Sequence, residues 1–189
     1  MSCRAQASPS TAFADWTRSR SGLRSIQSKG ADSEKEEKTN VMRVLDGKKI
    51  NYAGHSYEAD PTLTGEDIAG ILGEDASKVF KTLVTQGKSG AYYVFVVTAA
   101  AELDLKKAAS AAGEKSISMI KQKELLPLTG YVHGGCSPIG MKKQFVTFVH
   151  ETALLYDKMF VSAGKVGFQI ELAPSDLIAV TGCRTADIV

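Results

Sequence analysis

Apolar positions along the chain switch repeatedly between helical and alternating spacing, and the switches predict an order of elements. Val41, Val44 and Leu45 recur at helical intervals between Thr39 and Asp46, with Gly47 as the stop. Ile50 to Tyr57 alternates loosely and predicts a strand leading into a turn at Asp60-Pro61. Thr64-Gly65-Glu66-Asp67 resembles a capping box, and the helix behind it carries Ile68, Ile71 and Leu72 before Gly73. Val79 to Val84 and Tyr92 to Thr98 predict a hairpin with a buried side, turning over Gly87 to Gly90. Asp104 is placed to cap an Ala-rich helix that sets Leu105, Ala108, Ala109 and Ala112 on one face and ends at Gly113. A short strand over Ser116 to Ile120 follows, then a helical turn from Lys121 to Leu126 broken by Pro127. Phe145 to Val149, Lys158 to Ser162 and Phe168 to Leu172 predict three further strands. Pro174 and Asp176 open a last helix to Val180.

Strands outnumber helices, and most connections are too short for repeated βαβ crossovers. The pattern predicts an α/β fold of the mixed α+β kind. Its sheet is expected to be curved and largely antiparallel, forming a partial barrel with surrounding helices. No internal repeat is visible.

The first part of the chain breaks this pattern. Residues 1–31 hold seven serines and five basic residues against Asp15 as the lone acid, and their apolar residues are scattered. Arg-rich, Ser-rich and acid-poor describes an organelle transit peptide, and a disordered tail fits equally well. Asp32 to Lys38 is a charge run that reads as a solvated linker. The expected division is a disordered or targeting extension over 1–37 and a single domain over 38–189. Localisation is then cytoplasmic, or organellar if the extension is a transit peptide.

Composition narrows the function. Among 189 residues no apolar run approaches the roughly 18 that a membrane helix needs, so no membrane partner is expected. Cysteines at 3, 136 and 183 are odd in number and unpaired in spacing, which argues against a disulfide scaffold or a cysteine zinc module. The 38–189 region has 17 basic and 16 acidic side chains, so any nucleic-acid contact must be local rather than carried by bulk charge.

Three places could carry chemistry. Gly130-Tyr131-Val132-His133-Gly134-Gly135-Cys136-Ser137-Pro138-Ile139-Gly140 is too glycine-rich for a regular element. It could cradle a phosphate or a developing oxyanion with backbone N–H groups, or be a tight loop and nothing more. Lys142 and Lys143 lie just beyond it. It is neither a Walker A sequence nor a dinucleotide fingerprint. Lys81 stands among apolar strand neighbours, where it either reaches a ligand from the sheet face or runs its stem out to solvent. His133 and Cys136 could form a nucleophilic pair, though a small buried thiol is the simpler reading of Cys136. His55, His133 and His150 share no metal-ligand spacing.

These segments are similar to a known family. His55-Ser56-Tyr57-Glu58, Val79 to Leu83, Leu103-Asp104-Leu105-Lys106-Lys107, Gly130 to Gly140, Val161 to Lys165, Gly167 and Ile170-Glu171-Leu172 occur in the family's order. Together they resemble the YbaK/EbsC family, stand-alone relatives of the editing domain of bacterial prolyl-tRNA synthetases, across about residues 39–189. The resemblance implies an aminoacyl-tRNA deacylase that hydrolyses mischarged tRNA in trans, typically Cys-tRNA(Pro), on a partly barrel-like mixed sheet. It also implies neither metal nor cofactor. In Cys-specific members the cysteine thiol attacks its own ester and leaves as a thiolactone, so the protein positions and polarises the substrate.

By the resemblance, Lys81 matches the strand lysine that holds the 3′ end of the tRNA. Tyr57 matches a pocket tyrosine, and Gly134, Gly135, Ser137 and Pro138 match the loop around the acyl group. The expected catalytic set is Lys81, Tyr57, Gly134 and Gly135. The expected substrate-binding set is Ser137, Pro138, Gly140, Lys142, Lys165 and Gln169. One departure stands out. The family's Cys-deacylase pattern has Gly-Leu-Asp before Ile-Glu-Leu, whereas this chain has Gly167-Phe168-Gln169. An amide replaces a carboxylate, which opens the amino-acid specificity to another small acyl group such as alanine. Expected partners are mischarged tRNA and prolyl-tRNA synthetase. The competing readings are a tRNA- or synthetase-binding module with little catalysis and a hydrolase using Cys136 with His133.

Overall fold

The computed structural model describes residues 24–26 and 38–189. The rest of the segment 1–37, where a disordered or targeting extension is expected, lies outside the described residues. The elements are β1 (Arg24–Ile26), α1 (Asn40–Gly47), β2 (Ala53–Ser56), α2 (Gly65–Leu72), β3 (Phe80–Gly87), β4 (Tyr92–Thr98) and α3 (Leu105–Ala112). There follow β5 (Ile117–Met119), α4 (Gln122–Thr129), β6 (Val146–His150), β7 (Met159–Ser162), β8 (Phe168–Leu172), α5 (Pro174–Thr181) and β9 (Arg184–Ala186). A 3-10 turn, Glu151–Leu155, connects β6 to β7.

α1, α2 and α3 begin where side chains satisfy free N–H groups of the first turn. Thr39 Oγ1 accepts from the Met42 N–H at 3.3 Å. Thr64 and Asp67 cap each other reciprocally at the start of α2. Asp104 accepts from the Lys106 and Lys107 amides at 2.7 and 3.1 Å. α2 and α3 both stop at a left-handed glycine, Gly73 at φ 72° and Gly113 at φ 71°.

The mixed α/β architecture matches the expectation, but the single curved sheet is corrected to two. One sheet runs β1-β2-β8-β7 and is antiparallel throughout. The other runs β5-β3-β4-β6-β9, with β5, β3 and β4 antiparallel and the β4-β6 and β6-β9 pairs parallel. Parallel pairing of β4 with β6 requires the long crossover that holds α3, β5 and α4. The sheets meet at one isolated parallel bridge, Val79 to Phe160, and do not close into a barrel. One bridge is too little pairing to merge two ladders.

Two local expectations also change, and one strand is added. Pro127 lies inside α4 instead of breaking it. As the sixth helical residue it forfeits one backbone bond, while Lys121 N–H donates to the Glu124 carboxylate at 2.9 Å and Thr129 Oγ1 donates to Leu125 O at 2.8 Å. Ile71 and Leu105 are 36% and 41% exposed, because α2 and α3 turn the smaller Ala69, Ala108 and Ala109, with Leu72, toward the sheets. β9 has no apolar alternation of its own and forms by parallel pairing with β6.

The main core lies against α1 and is built from Val41, Leu45, Phe80, Val96, Val149, Met159, Val161 and Ile170. A second core stacks Phe95 on Phe148 at 5.4 Å beneath Ala108 and Ala109 of α3. Successive strand side chains point to opposite faces. Since Phe80, Val161 and Ile170 enter the main core, Lys81, Ser162 and Gln169 turn the other way. His55 is paired with Gln169 across β2 and β8, and Tyr57 continues its side of β2.

Candidate active site

The first element of the site is set by that alternation. Lys81 lies on β3 opposite Val97 of β4, half-buried, and its Nζ donates to Ala99 O at 3.4 Å. Ala99 also receives α2: a Cβ added at Gly65 would stand 2.6 Å from the Ala99 Cβ. The start of α2, the end of β4 and Lys81 therefore share one neighbourhood.

Tyr57 sits just past β2 and is buried. Its backbone N–H donates to Gly167 O at 2.9 Å, and the Gln169 amide lies close to its hydroxyl. Burial pushes the Tyr57 phenol up from its ordinary value, against the opposing effect of that amide. Gln169 is 4% exposed, and its Oε1 is buried without a partner. Thr82 Oγ1, next to Lys81, is the other orphaned side-chain atom among the described residues. Both are sites where a structure lacks a hydrogen bond it needs.

Three loops meet beside Tyr57. A Cβ on Gly134, at φ 77°, would lie 3.8 Å from Pro61 Cα, and one on Gly135 would lie 3.0 Å from Val166 N. One on Gly167, at φ 84°, would lie 2.8 Å from Tyr57 O. Only glycine allows this approach at Gly135 and Gly167. The Gly135 N–H donates to Val132 O at 3.1 Å, so that amide is engaged within its own loop. Lys165 is exposed and holds its Nζ 5.0 Å above the Phe168 ring.

Thus Tyr57, Gln169, Gly134, Gly135 and Lys165 come together, and the register Val79 to Phe160 and Ser162 to Gln169 puts Lys81 on the face that carries Gln169. Other expected residues do not join them at the surface. Ser137 is fully buried and its Oγ accepts from Ile139 N–H at 3.3 Å. Pro138 is buried beside it. Gly140 faces α1, its carbonyl accepting from Asn40 Nδ2 at 3.2 Å. The stem of Lys142 lies along Gly130, at the end of α4. These four support the loop from behind or beside it.

A further cluster was not singled out in the sequence. His55 Nε2 lies 3.0 Å from Glu171 Oε2, and Lys158 Nζ lies 2.5 Å from Glu171 Oε1. Burial pushes the Glu171 carboxyl up, but the bonds and charges of Lys158 and His55 outweigh it and leave it below the ordinary range. His55 also packs on Phe160 at 5.4 Å. The signal was period two: His55 with Tyr57, and Gln169 with Glu171, share a face.

Cys136 is half-buried at the boundary of two cores, and burial pushes its thiol up to about 12. That value leaves almost no thiolate near neutrality. Among the described residues no three His, Cys, Asp or Glu side chains gather as ligands for a metal ion. Open hollows of about 380 and 450 Å³ lie elsewhere, around Lys88 and Ser116 and beside Leu105 and Lys115. They contain none of these residues.

The aminoacyl-tRNA editing domain matches the chain over residues 59–180. EbsC of Enterococcus faecalis, a proposed Cys-tRNA(Pro)/Cys-tRNA(Cys) deacylase, is 43% identical over 159 residues, 84% of this chain and 97% of EbsC. The proline–tRNA ligase of Thermosipho melanesiensis is 29% identical over 101 residues, which are 53% of this chain and 17% of the ligase. The crystal structure of a proposed trans-editing enzyme for prolyl-tRNA synthetase superposes with a TM-score of 0.69 at 26% identity, covering 79% of this chain and 94% of that one.

Proposed function

The chain belongs to the aminoacyl-tRNA editing domain family, and we propose that this deacylase removes cysteine from Cys-tRNA(Pro) in trans, without a metal and with the substrate's own thiol as nucleophile. The observation that carries the reading is the meeting of Tyr57, Gln169 and the Gly134-Gly135 loop, with a half-buried strand lysine, Lys81, on the strand face that carries Gln169. Cys136, the thiol of this loop, is pushed up to about 12 by burial and is not poised as a nucleophile. A site of this kind can orient a reactive substrate and stabilise charge, and that is all an intramolecular attack requires.

In the proposed step the cysteinyl sulfur attacks its own carbonyl carbon as the thiol gives up its proton. The C–O bond to the ribose 3′ oxygen breaks, that oxygen takes a proton, and the thiolactone departs and is opened by water. Lys81 holds the phosphate of the terminal nucleotide, trading its long bond to Ala99 O for a charged one. Tyr57 and the Gly134-Gly135 loop confine the acyl group. Pro-tRNA(Pro) lacks the thiol and is spared.

Prolyl-tRNA synthetase cannot fully exclude an amino acid so near proline in size, which is why a second sieve is useful. The near-neutral charge of the 38–189 region supports a partner, proposed to be that synthetase, in delivering the tRNA. Gln169 favours a second reading of the substrate, in which another small aminoacyl group such as alanine is removed by water. Comparing deacylation of Cys-tRNA(Pro) with Ala-tRNA(Pro) tests both. Faster loss of cysteine supports the first reading, and faster loss of alanine replaces it with the second.

A further inference from the structure

Gln169 is 4% exposed and leaves Oε1 buried with no partner. A carbonyl held this way lacks the donor that burial makes necessary. We infer that Gln169 Oε1 receives the α-ammonium group of the aminoacyl moiety, an inference that rests on the deacylase reading above.

The aminoacyl end of a charged tRNA offers four kinds of donor: the α-ammonium group, the ribose 2′-hydroxyl, the adenine 6-amino group and, for cysteine, a thiol. The ammonium is charged, donates in three directions and is present whichever amino acid is attached. A bond from a charged donor is roughly twice as strong as a neutral one. The other orphan, Thr82 Oγ1, lies next to Lys81 on the strand side that carries Phe80 and Val84 into the cores. A hydroxyl there can also rotate toward another acceptor, whereas the Gln169 amide sits in the strand face beside Tyr57.

A neutral amide suits so buried a position better than a carboxylate. An unpaired charge at so buried a position is expensive. Two residues along the same face of β8, Glu171 already occupies both His55 and Lys158. A neutral acceptor waits there at lower cost and still attracts a cation when substrate arrives. The consequence is a filter: esters whose α-nitrogen is acylated, such as formylated or peptidyl-tRNA, lose this contact and are refused.

The test uses the full chain and two non-hydrolysable amides of 3′-amino-3′-deoxyadenosine, one cysteinyl and one its desamino counterpart, 3-mercaptopropanoyl. Titration should show the wild type binding the cysteinyl compound at least about tenfold more tightly, as a bond to a charged donor implies. Gln169→Met should bring the two affinities within about twofold, the small difference left when that bond is gone. Gln169→Glu, which keeps an acceptor, should retain or widen the preference. Equal binding of the two compounds by the wild type, binding of neither, or a Glu variant that behaves like Met overturns the inference. Deacylation of Cys-tRNA(Pro) measured in parallel separates the two ideas. A preserved amino preference without hydrolysis defeats the deacylase reading and leaves the contact standing.

Discussion

Gly135 lies so close to Val166 that a Cβ on it would stand 3.0 Å from the Val166 backbone nitrogen and 3.2 Å from the Lys165 carbonyl carbon. No positive φ is involved there, so the need for glycine is one of space. This packing joins the loop before β6 to the turn between β7 and β8, and both border Tyr57. Gly135→Ala is expected to cost about 1–3 kcal/mol, the usual penalty of overpacking. Because it spreads the loops, it should lower kcat/KM well beyond the loss of folded protein. Urea unfolding and deacylation on one preparation check this, and a fully active, fully stable Ala variant contradicts it.

The thiol of Cys136, pushed up to about 12 by burial, is expected to take no part in the chemistry. Cys136→Ser should keep kcat/KM within about threefold, because a protonated thiol is not a nucleophile. Iodoacetamide at pH 7.5 should label it slowly in the folded protein. Loss of activity in a folded Ser variant would restore the reading in which Cys136 acts with His133.

Stability should fall at acidic pH through Glu171. Its carboxyl is held below the ordinary range by Lys158 and His55, despite the opposing effect of burial. A group whose folded value is lowered stabilises above its unfolded value, roughly 4.3, and loses that contribution as pH falls through the folded value. Lys158 is shifted up by the same contact, so its contribution is present below its unfolded value and fades as pH rises through the folded one. Glu171→Gln should therefore lower Tm at pH 7 and flatten the dependence of Tm on pH between about 5 and 3. An unchanged acid limb contradicts this account of the cluster.

Deleting residues 1–37 removes β1, which pairs through Arg24–Ile26 with the edge of β2. Among the described residues, the four apolar cores are built from positions beyond 38. The truncated chain should fold and keep its kcat/KM, as measured by deacylation and circular dichroism. A large loss of activity would make the extension part of the site.

Much of this was legible in the sequence because local chemistry agrees with the tertiary outcome. Asp104 to Gly113 carries its own cap and stop, Tyr92 to Thr98 is an unbroken β-branched and aromatic run, and both form as predicted. Pro127 was misread because its cost depends on where in the helix it falls and on Thr129 and Glu124 around it. The division into two sheets was not legible, since pairing partners are long-range and β9 has no pattern of its own. In the site, Lys81 and the glycine loop stood out by residue type. The meeting of Tyr57 with Gln169, and of His55 with Glu171, follows from strand register that no short motif records.

The central claim is tested most directly by deacylation of Cys-tRNA(Pro), Ala-tRNA(Pro) and Pro-tRNA(Pro), using the full chain beside Lys81→Ala. Lys81 makes one long bond, to Ala99 O, and lies outside the cores, so the variant should fold normally. Wild type should release cysteine, spare proline, and lose roughly 10²-fold or more in rate with Lys81→Ala, the scale expected when a key electrostatic contact is removed. Unchanged turnover by a folded Lys81→Ala protein, or no release of any amino acid by the wild type, would contradict it.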